Sequence, residues 1–151
     1  MQLILFIGCQ ASGKSTFFKQ NFVDSHIRLN LDMLKTRHRE SILFQACLNA
    51  KQACVIDNTN PTAAERQRYI SAAQAAHFQI IAYFFHTDLA SALQRNAQRI
   101  GKARIPEVGI IATHRKLQAP QYSEGFDHIY HVTLTESATF TVRAIPWDLM
   151  I

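Results

Sequence analysis

Two glycines, a lysine and a hydroxyl stand at fixed spacing in Gly8-Cys9-Gln10-Ala11-Ser12-Gly13-Lys14-Ser15, with Thr16 following. The spacing is G-x-x-x-x-G-K-[ST], and each residue type has a chemical use in it. Gly8 and Gly13 have access to backbone angles that other residues adopt only at a cost. Consecutive N–H groups can therefore face one concavity suited to phosphate oxygens. Lys14 adds a mobile positive charge for the β- and γ-phosphates, and the Ser15 hydroxyl is an oxygen ligand for Mg²⁺. Cys9, Gln10, Ala11 and Ser12 supply the intervening amides, with Cys9 read as a small residue filling the loop. The bland alternative is a glycine turn that merely joins a strand to a helix. At average residue usage that match arises by chance in roughly 1% or fewer of chains this long. The segment Gly8–Thr16 is therefore expected to bind a nucleoside triphosphate, taken as ATP, with Mg²⁺.

In open parallel sheets, ligands gather beyond the carboxyl ends of the strands. Three more places fall there. Asp32 follows Leu29-Asn30, where a carboxylate can take the proton of an attacking hydroxyl; a first-turn or capping acid is the alternative. Asp57 ends the run Cys54-Val55-Ile56, a position that can hold Mg²⁺, or it is a turn former within Asp57-Asn58-Thr59-Asn60. Arg95 and Arg99 are four apart on an expected helix face and precede a basic stretch. They read either as a lid that stabilises a transferring phosphoryl group or as a solvated face. The histidines, His38, His86 and His114 among them, show no metal-like pairing.

These groups need a scaffold. Residues 2–7 read as a strand buried on both faces, because almost every position is apolar. A helix from Lys14 to about Phe22 follows, then a short strand at Ile27–Asn30 and a helical opening at Leu31–Leu34. Glu40–Lys51 carries apolar residues at helical spacing, and Ala53–Ile56 reads as a second central strand. Pro61 sits near the start of a helix running to about Ala76. Gln79–Phe85 is a strand, and Asp88 caps a helix to about Arg99. Gly101–Pro106 is a basic loop, and a helix from Glu107 to Leu117 ends before Ala119-Pro120. Strands follow at Asp127–Leu134 and Ala138–Ile145; the segment beyond Pro146, with Trp147 and Leu149, is assigned to no element. The alternation predicts an α/β fold, a parallel sheet with helices on both faces.

At 151 residues the chain is expected to form a single domain, 1–151, with a sizeable core. Hydrophobic residues at 48% and charged ones at 18% are ordinary for a soluble globular protein, and no apolar run is long enough to span a bilayer. No basic leader precedes the first strand, so a signal peptide is not expected; Cys9, Cys47 and Cys54 lack metal spacing, which fits a reduced cytoplasmic protein. The net charge of +5 is spread over two clusters, Arg37-His38-Arg39 and Arg95, Arg99, Lys102 and Arg104. That balance suits a nucleotide alone or a nucleic acid as well.

The pieces together resemble the kinase domain of the polynucleotide kinase family, the P-loop enzymes that phosphorylate 5′-hydroxyl ends. The likeness rests on GCQASGKST at Gly8–Thr16, Asn30-Leu31-Asp32, VIDNTNP at Val55–Pro61, Gln94-Arg95-Asn96 with Arg99, Arg104-Ile105-Pro106, and HRKLQAP followed by EGF near Gly125. It covers about residues 2–132. The resemblance implies a P-loop kinase fold with a basic lid segment, ATP and Mg²⁺ as cofactors, and transfer of the γ-phosphate to DNA or RNA. It makes Asp32 the general base, Arg99 the lid arginine, Arg95 its neighbour over the nucleotide, and Asp57 a second active-site carboxylate. Lys35 falls where the family can carry an arginine that touches an acceptor phosphate, and a lysine there lacks the bidentate fork. Leu31 stands where the family often has arginine, and the Asp-x-Asp-Gly-Thr phosphatase signature of bifunctional members is absent from the sequence. A small-molecule hydroxyl as acceptor, or a nucleotide-binding regulatory module without transferase activity, are the other readings.

Overall fold

A computed structural model describes residues 1–150. Its centre is a six-stranded sheet in the order β2-β3-β1-β4-β5-β6. The strands are β1 (Gln2–Ile7), β2 (Ile27–Leu29), β3 (Cys54–Asp57), β4 (Gln79–Phe85), β5 (His128–Leu134) and β6 (Phe140–Ala144). The helices are α1 (Lys14–Asn21), α2 (Leu31–Leu34), α3 (Arg37–Asn49), α4 (Ala63–Ala75), α5 (Leu89–Ala97) and α6 (Glu107–Lys116).

The apolar run of β1 divides between two cores because successive strand side chains point to opposite faces. Leu3, Leu5 and Ile7 pack with Phe44, Leu48, Tyr69 and Ile70 of α3 and α4. Ile4 and Phe6 pack with Phe17 and Phe18 of α1, and with Phe22 and Phe85. Phe6 is wholly buried, with the Phe85 ring 5.0 Å and the Phe17 ring 5.9 Å away, so truncating it to alanine is expected to cost about 3–5 kcal/mol.

Strands β1 to β5 are parallel, as the alternation predicts, but β6 runs antiparallel to β5, with Val132 opposite Val142. The sheet is therefore mixed. The reason is the length of the link 135–139, too short for the dozen or more residues that a parallel crossover needs. Helix α3 starts at Arg37 rather than Glu40, because the Thr36 side chain accepts the Arg39 N–H at 3.1 Å and caps it. The segment beyond Pro146 turns into a 3-10 helix, with the Trp147 ring stacked on Tyr122 at 4.9 Å. Among the described residues, no helix is long and apolar enough to cross a membrane.

Candidate active site

A cavity of about 310 Å³ opens at the carboxyl ends of the central strands, lined by Gln10–Thr16, Asn30–Asp32, Arg37, Asp57–Thr59, Arg99 and Ile105. The topology explains its place: β1 lies between β3 and β4, so the chain leaves its carboxyl end where neighbouring connections diverge.

In the loop after β1, Gly13 has φ 95 and caps α1 in the left-handed region, as the pattern requires. Gly8 has a different reason. Its φ is not positive, and its N–H is already given to the Thr59 carbonyl at 3.0 Å. A side chain at Gly8 would meet Phe85 Cβ at 2.9 Å, so close approach of β4, not conformational freedom, excludes other residues. The second left-handed residue of the loop is Ala11, at φ 62. Cys9 is wholly buried against Ala92 and Ile110, and burial pushes its thiol pKa up. The Lys14 ammonium donates to the Gly8 carbonyl at 2.8 Å, the Cys9 carbonyl at 2.6 Å and Ser12 Oγ at 3.3 Å. Burial pushes its pKa down to about 8, opposed in part by the Asp57 carboxylate.

Ser15 and Asp57 come together on one centre. Arg28 of β2 donates through Nη2 to Ser15 Oγ at 2.9 Å and to Asp57 Oδ2 at 2.7 Å, and through Nε to Asp57 Oδ2 at 2.7 Å. A hydroxyl and a carboxylate oxygen within reach of one cation are the hard donors Mg²⁺ takes, so the donor set fits that ion. Among the described residues no three His, Cys, Asp or Glu side chains cluster.

Asp32 lies in the first turn of α2, exposed at the cavity wall, and its carboxylate accepts no hydrogen bond among the described residues. Its backbone is stitched to the end of β3. Asn30 caps α2 by accepting the Met33 N–H at 3.1 Å and donates to the Asp57 carbonyl at 2.6 Å, while the Leu31 N–H donates to Asn58 Oδ1 at 3.0 Å. Asn58 in turn donates to Glu40 at 2.7 Å. Buried Glu40 also accepts from Tyr69 at 2.6 Å and from Arg37 Nη1 at 3.1 Å, which brings Arg37 to the cavity. Burial, then Glu40, raise the Tyr69 pKa.

Lys35 does not reach this cavity. It ends α2 at φ 74 and is exposed, and Arg37 is the cation the cavity receives from that segment. Arg95 is off the cavity too; its Nη1 donates to the Ala11 carbonyl at 3.1 Å, bracing the loop from behind. Helix α5 ends at Ala97, so Arg99 is beyond it rather than on a shared face; it lines the cavity and donates to the Ala103 carbonyl at 3.3 Å. The base of this basic segment is closed by Asn96, wholly buried, which donates to the Ile105 carbonyl at 2.6 Å and accepts its N–H at 2.8 Å.

Sequence reasoning missed Arg28, the role of Asn96, and one distant clamp. Arg66 is wholly buried, forks onto Glu124 at 2.7 and 2.8 Å, and donates to the Asn60 and Gln118 carbonyls at 3.0 Å. It ties the VIDNTNP loop to the AP and EGF segments, which are scaffold rather than site. Asn60, at φ 44, adds a bond to the Phe6 carbonyl at 2.8 Å.

A family model described as an AAA domain matches residues 3–120. A bifunctional polynucleotide phosphatase/kinase of Schizosaccharomyces pombe is 28% identical over 135 residues, covering 87% of this chain and 33% of the relative. A similarly named protein of Acanthamoeba polyphaga mimivirus is 31% identical over 140 residues, with coverage of 87% and 33%. The chain thus spans about a third of the length of these curated relatives, 33% in each case. Among solved structures, a gluconokinase from Sinorhizobium meliloti superposes with a TM-score of 0.64 at 14% identity, covering 99% of this chain and 86% of that one. That likeness is one of fold.

Proposed function

This chain belongs to the AAA domain family, and from that premise we propose that it is an ATP-dependent kinase that phosphorylates the 5′-hydroxyl end of DNA or RNA. One observation carries the reading: an open carboxylate, Asp32, and the phosphate loop Ser12–Thr16 line the same cavity. The acceptor class is supported by the similarity to a polynucleotide phosphatase/kinase and by three cations, Lys35, Arg37 and Arg39, exposed just past Asp32.

Asp32 takes the proton of the acceptor hydroxyl as its oxygen bonds to the γ-phosphorus; the bond from that phosphorus to the bridging oxygen breaks, and ADP leaves. Lys14, released from its loop carbonyls, faces the β- and γ-oxygens, and Arg99 offsets charge on the phosphoryl group in flight. Ser15 and Asp57 would hold Mg²⁺, which supplies charge neutralisation between the phosphates. Arg37, fixed by Glu40 and Tyr69, receives an acceptor phosphate, the task the family resemblance gives to Lys35.

The test is transfer of labelled γ-phosphate to oligonucleotides that end in 5′-OH. Label on the 5′ end of DNA or RNA supports the reading; normal ATP binding with no labelling of any oligonucleotide removes the nucleic-acid acceptor. A second reading, a small-molecule hydroxyl acceptor, is favoured by the modest cavity of about 310 Å³ and by Leu31 on its wall. Turnover on a panel of sugars and nucleosides, with none on oligonucleotides, selects it. ATP binding without turnover on either panel selects a regulatory module.

A further inference from the structure

Arg28 of β2 bridges Ser15 at the start of α1 and Asp57 at the end of β3. The loop pattern makes Ser15 Oγ a metal ligand, and the end of β3 makes Asp57 another. Both of those oxygens accept from one guanidinium, at 2.9 Å and 2.7 Å. A plain ion pair between neighbouring strands would need only Asp57. The additional bond to Ser15, in the first turn of α1, places the guanidinium across the two donors. Resting on the reading of Ser15 and Asp57 as metal ligands, we infer that Arg28 and a divalent cation compete for the same two oxygens. Metal therefore enters this site together with a triphosphate rather than alone.

The physics has three parts. Asp57 is 1% exposed, and a buried carboxylate without a cation is costly, so the site always needs a positive partner. Arg28 supplies one through two N–H groups on the same Oδ2, and a free metal ion must displace it and forfeit those bonds. A metal–triphosphate complex brings phosphate oxygens with it, which give the displaced guanidinium new acceptors. The exit is open: the Arg28 side chain is 26% exposed, with its guanidinium 5.7 Å above the Phe18 ring. The residue has no place in transfer itself; it is a positioning residue that sets the order in which metal and nucleotide bind.

The experiment uses the full chain and Mn²⁺ as the probe, with free Mn²⁺ counted by its paramagnetic resonance signal in the absence of nucleotide. Arg28→Gln keeps a donor for Asp57 but removes the charge, and it is expected to bind Mn²⁺ about tenfold tighter than the wild type, the size of one lost charge-assisted bond. The gain should vanish in the R28Q/D57N double variant. Adding ATP should narrow the difference between wild type and R28Q. Equal or weaker Mn²⁺ binding by R28Q overturns the competition and leaves Ser15 and Asp57 as ligands. No Mn²⁺ binding by any form, R28Q included, while ATP still binds overturns the ligand reading and the competition together. Should R28Q fail to fold, the wild-type Arg28 Nε–H resonance, identified by its loss in Arg28→Lys, decides the matter. A shift and faster exchange on saturation with Mg²⁺ and a non-hydrolysable ATP analogue support displacement; an unchanged, protected resonance overturns it.

Discussion

On the proposed function, the donor and acceptor sides of the cavity are built in opposite ways. On the donor side Ser12, Lys14 and Asp57 are buried, and each is hydrogen-bonded to another part of the loop or the neighbouring strand. On the acceptor side Asp32 and Arg37 are exposed, with Lys35 and Arg39 exposed outside the cavity, and the Asp32 carboxylate has no protein partner among the described residues. The donor-side groups thus start out satisfied by protein partners, Lys14 by loop carbonyls and Asp57 by Arg28, and exchange them for a ligand's atoms. The acceptor side fixes its backbone through Asn30 and Asn58, holds Arg37 against Glu40 and Tyr69, and leaves the Asp32 carboxylate open. Burial on one side fixes geometry; exposure on the other leaves the Asp32 carboxylate open to solvent.

The contrast is breakable. Asp32→Asn should lower kcat for 5′-hydroxyl transfer by about a thousandfold while ATP affinity and melting temperature stay as in the wild type. A variant that also loses ATP binding would mean that the two sides are not separable. The converse applies to the buried scaffold. Glu124→Gln leaves the wholly buried Arg66 guanidinium without its counter-charge, so a urea titration should show about 3 kcal/mol less stability, with the kcat of the folded fraction unchanged. A smaller effect is expected of Arg37→Gln: about tenfold higher KM for an oligonucleotide acceptor at unaltered kcat and unaltered KM for ATP. An effect on ATP instead would move Arg37 to the donor side.

The subtlest test is one of pH. Burial, chiefly, holds the Lys14 pKa at about 8 against an ordinary 10.5. Between those values the unfolded chain binds the proton and the folded chain does not, so this group makes the fold more stable as pH rises through that window. Below it, the charged lysine carries its full desolvation cost. Stability of the wild type relative to Lys14→Met should therefore rise from pH 8 to 10 in paired denaturant titrations. A difference independent of pH would show that the buried side does not perturb the lysine.

Legibility follows the same division. The phosphate loop is contiguous, and its strand and helix are local, so backbone physics alone reveals them. Asp32 and Asp57 were visible as carboxylates at strand ends, a rule about topology rather than contact. The reversal of β6 is also written in the sequence, in a link too short to cross over. Other features depend on pairs that only the folded chain brings together. Gly8 answers to Phe85, Arg28 to Asp57, Asn96 to Ile105 at the base of the basic segment, and Arg66 to Glu124. Nothing in the residue types announces those partners. The exclusion of Lys35 has a local cause, the left-handed turn at φ 74 that ends a helix of one turn, but its consequence appears only when the cavity is formed.

The sequence by itself determined the chemistry that phosphate and metal require, because glycine, lysine, hydroxyl and carboxylate have their properties wherever the chain puts them. It also determined the layered fold, since a strand apolar at almost every position, as β1 is, must be covered on both faces. Tertiary structure alone decided which cation faces which oxygen. That choice rests on distances of 2.7 to 2.9 Å between residues as much as 29 apart in the chain, and only the packed sheet brings them within that range.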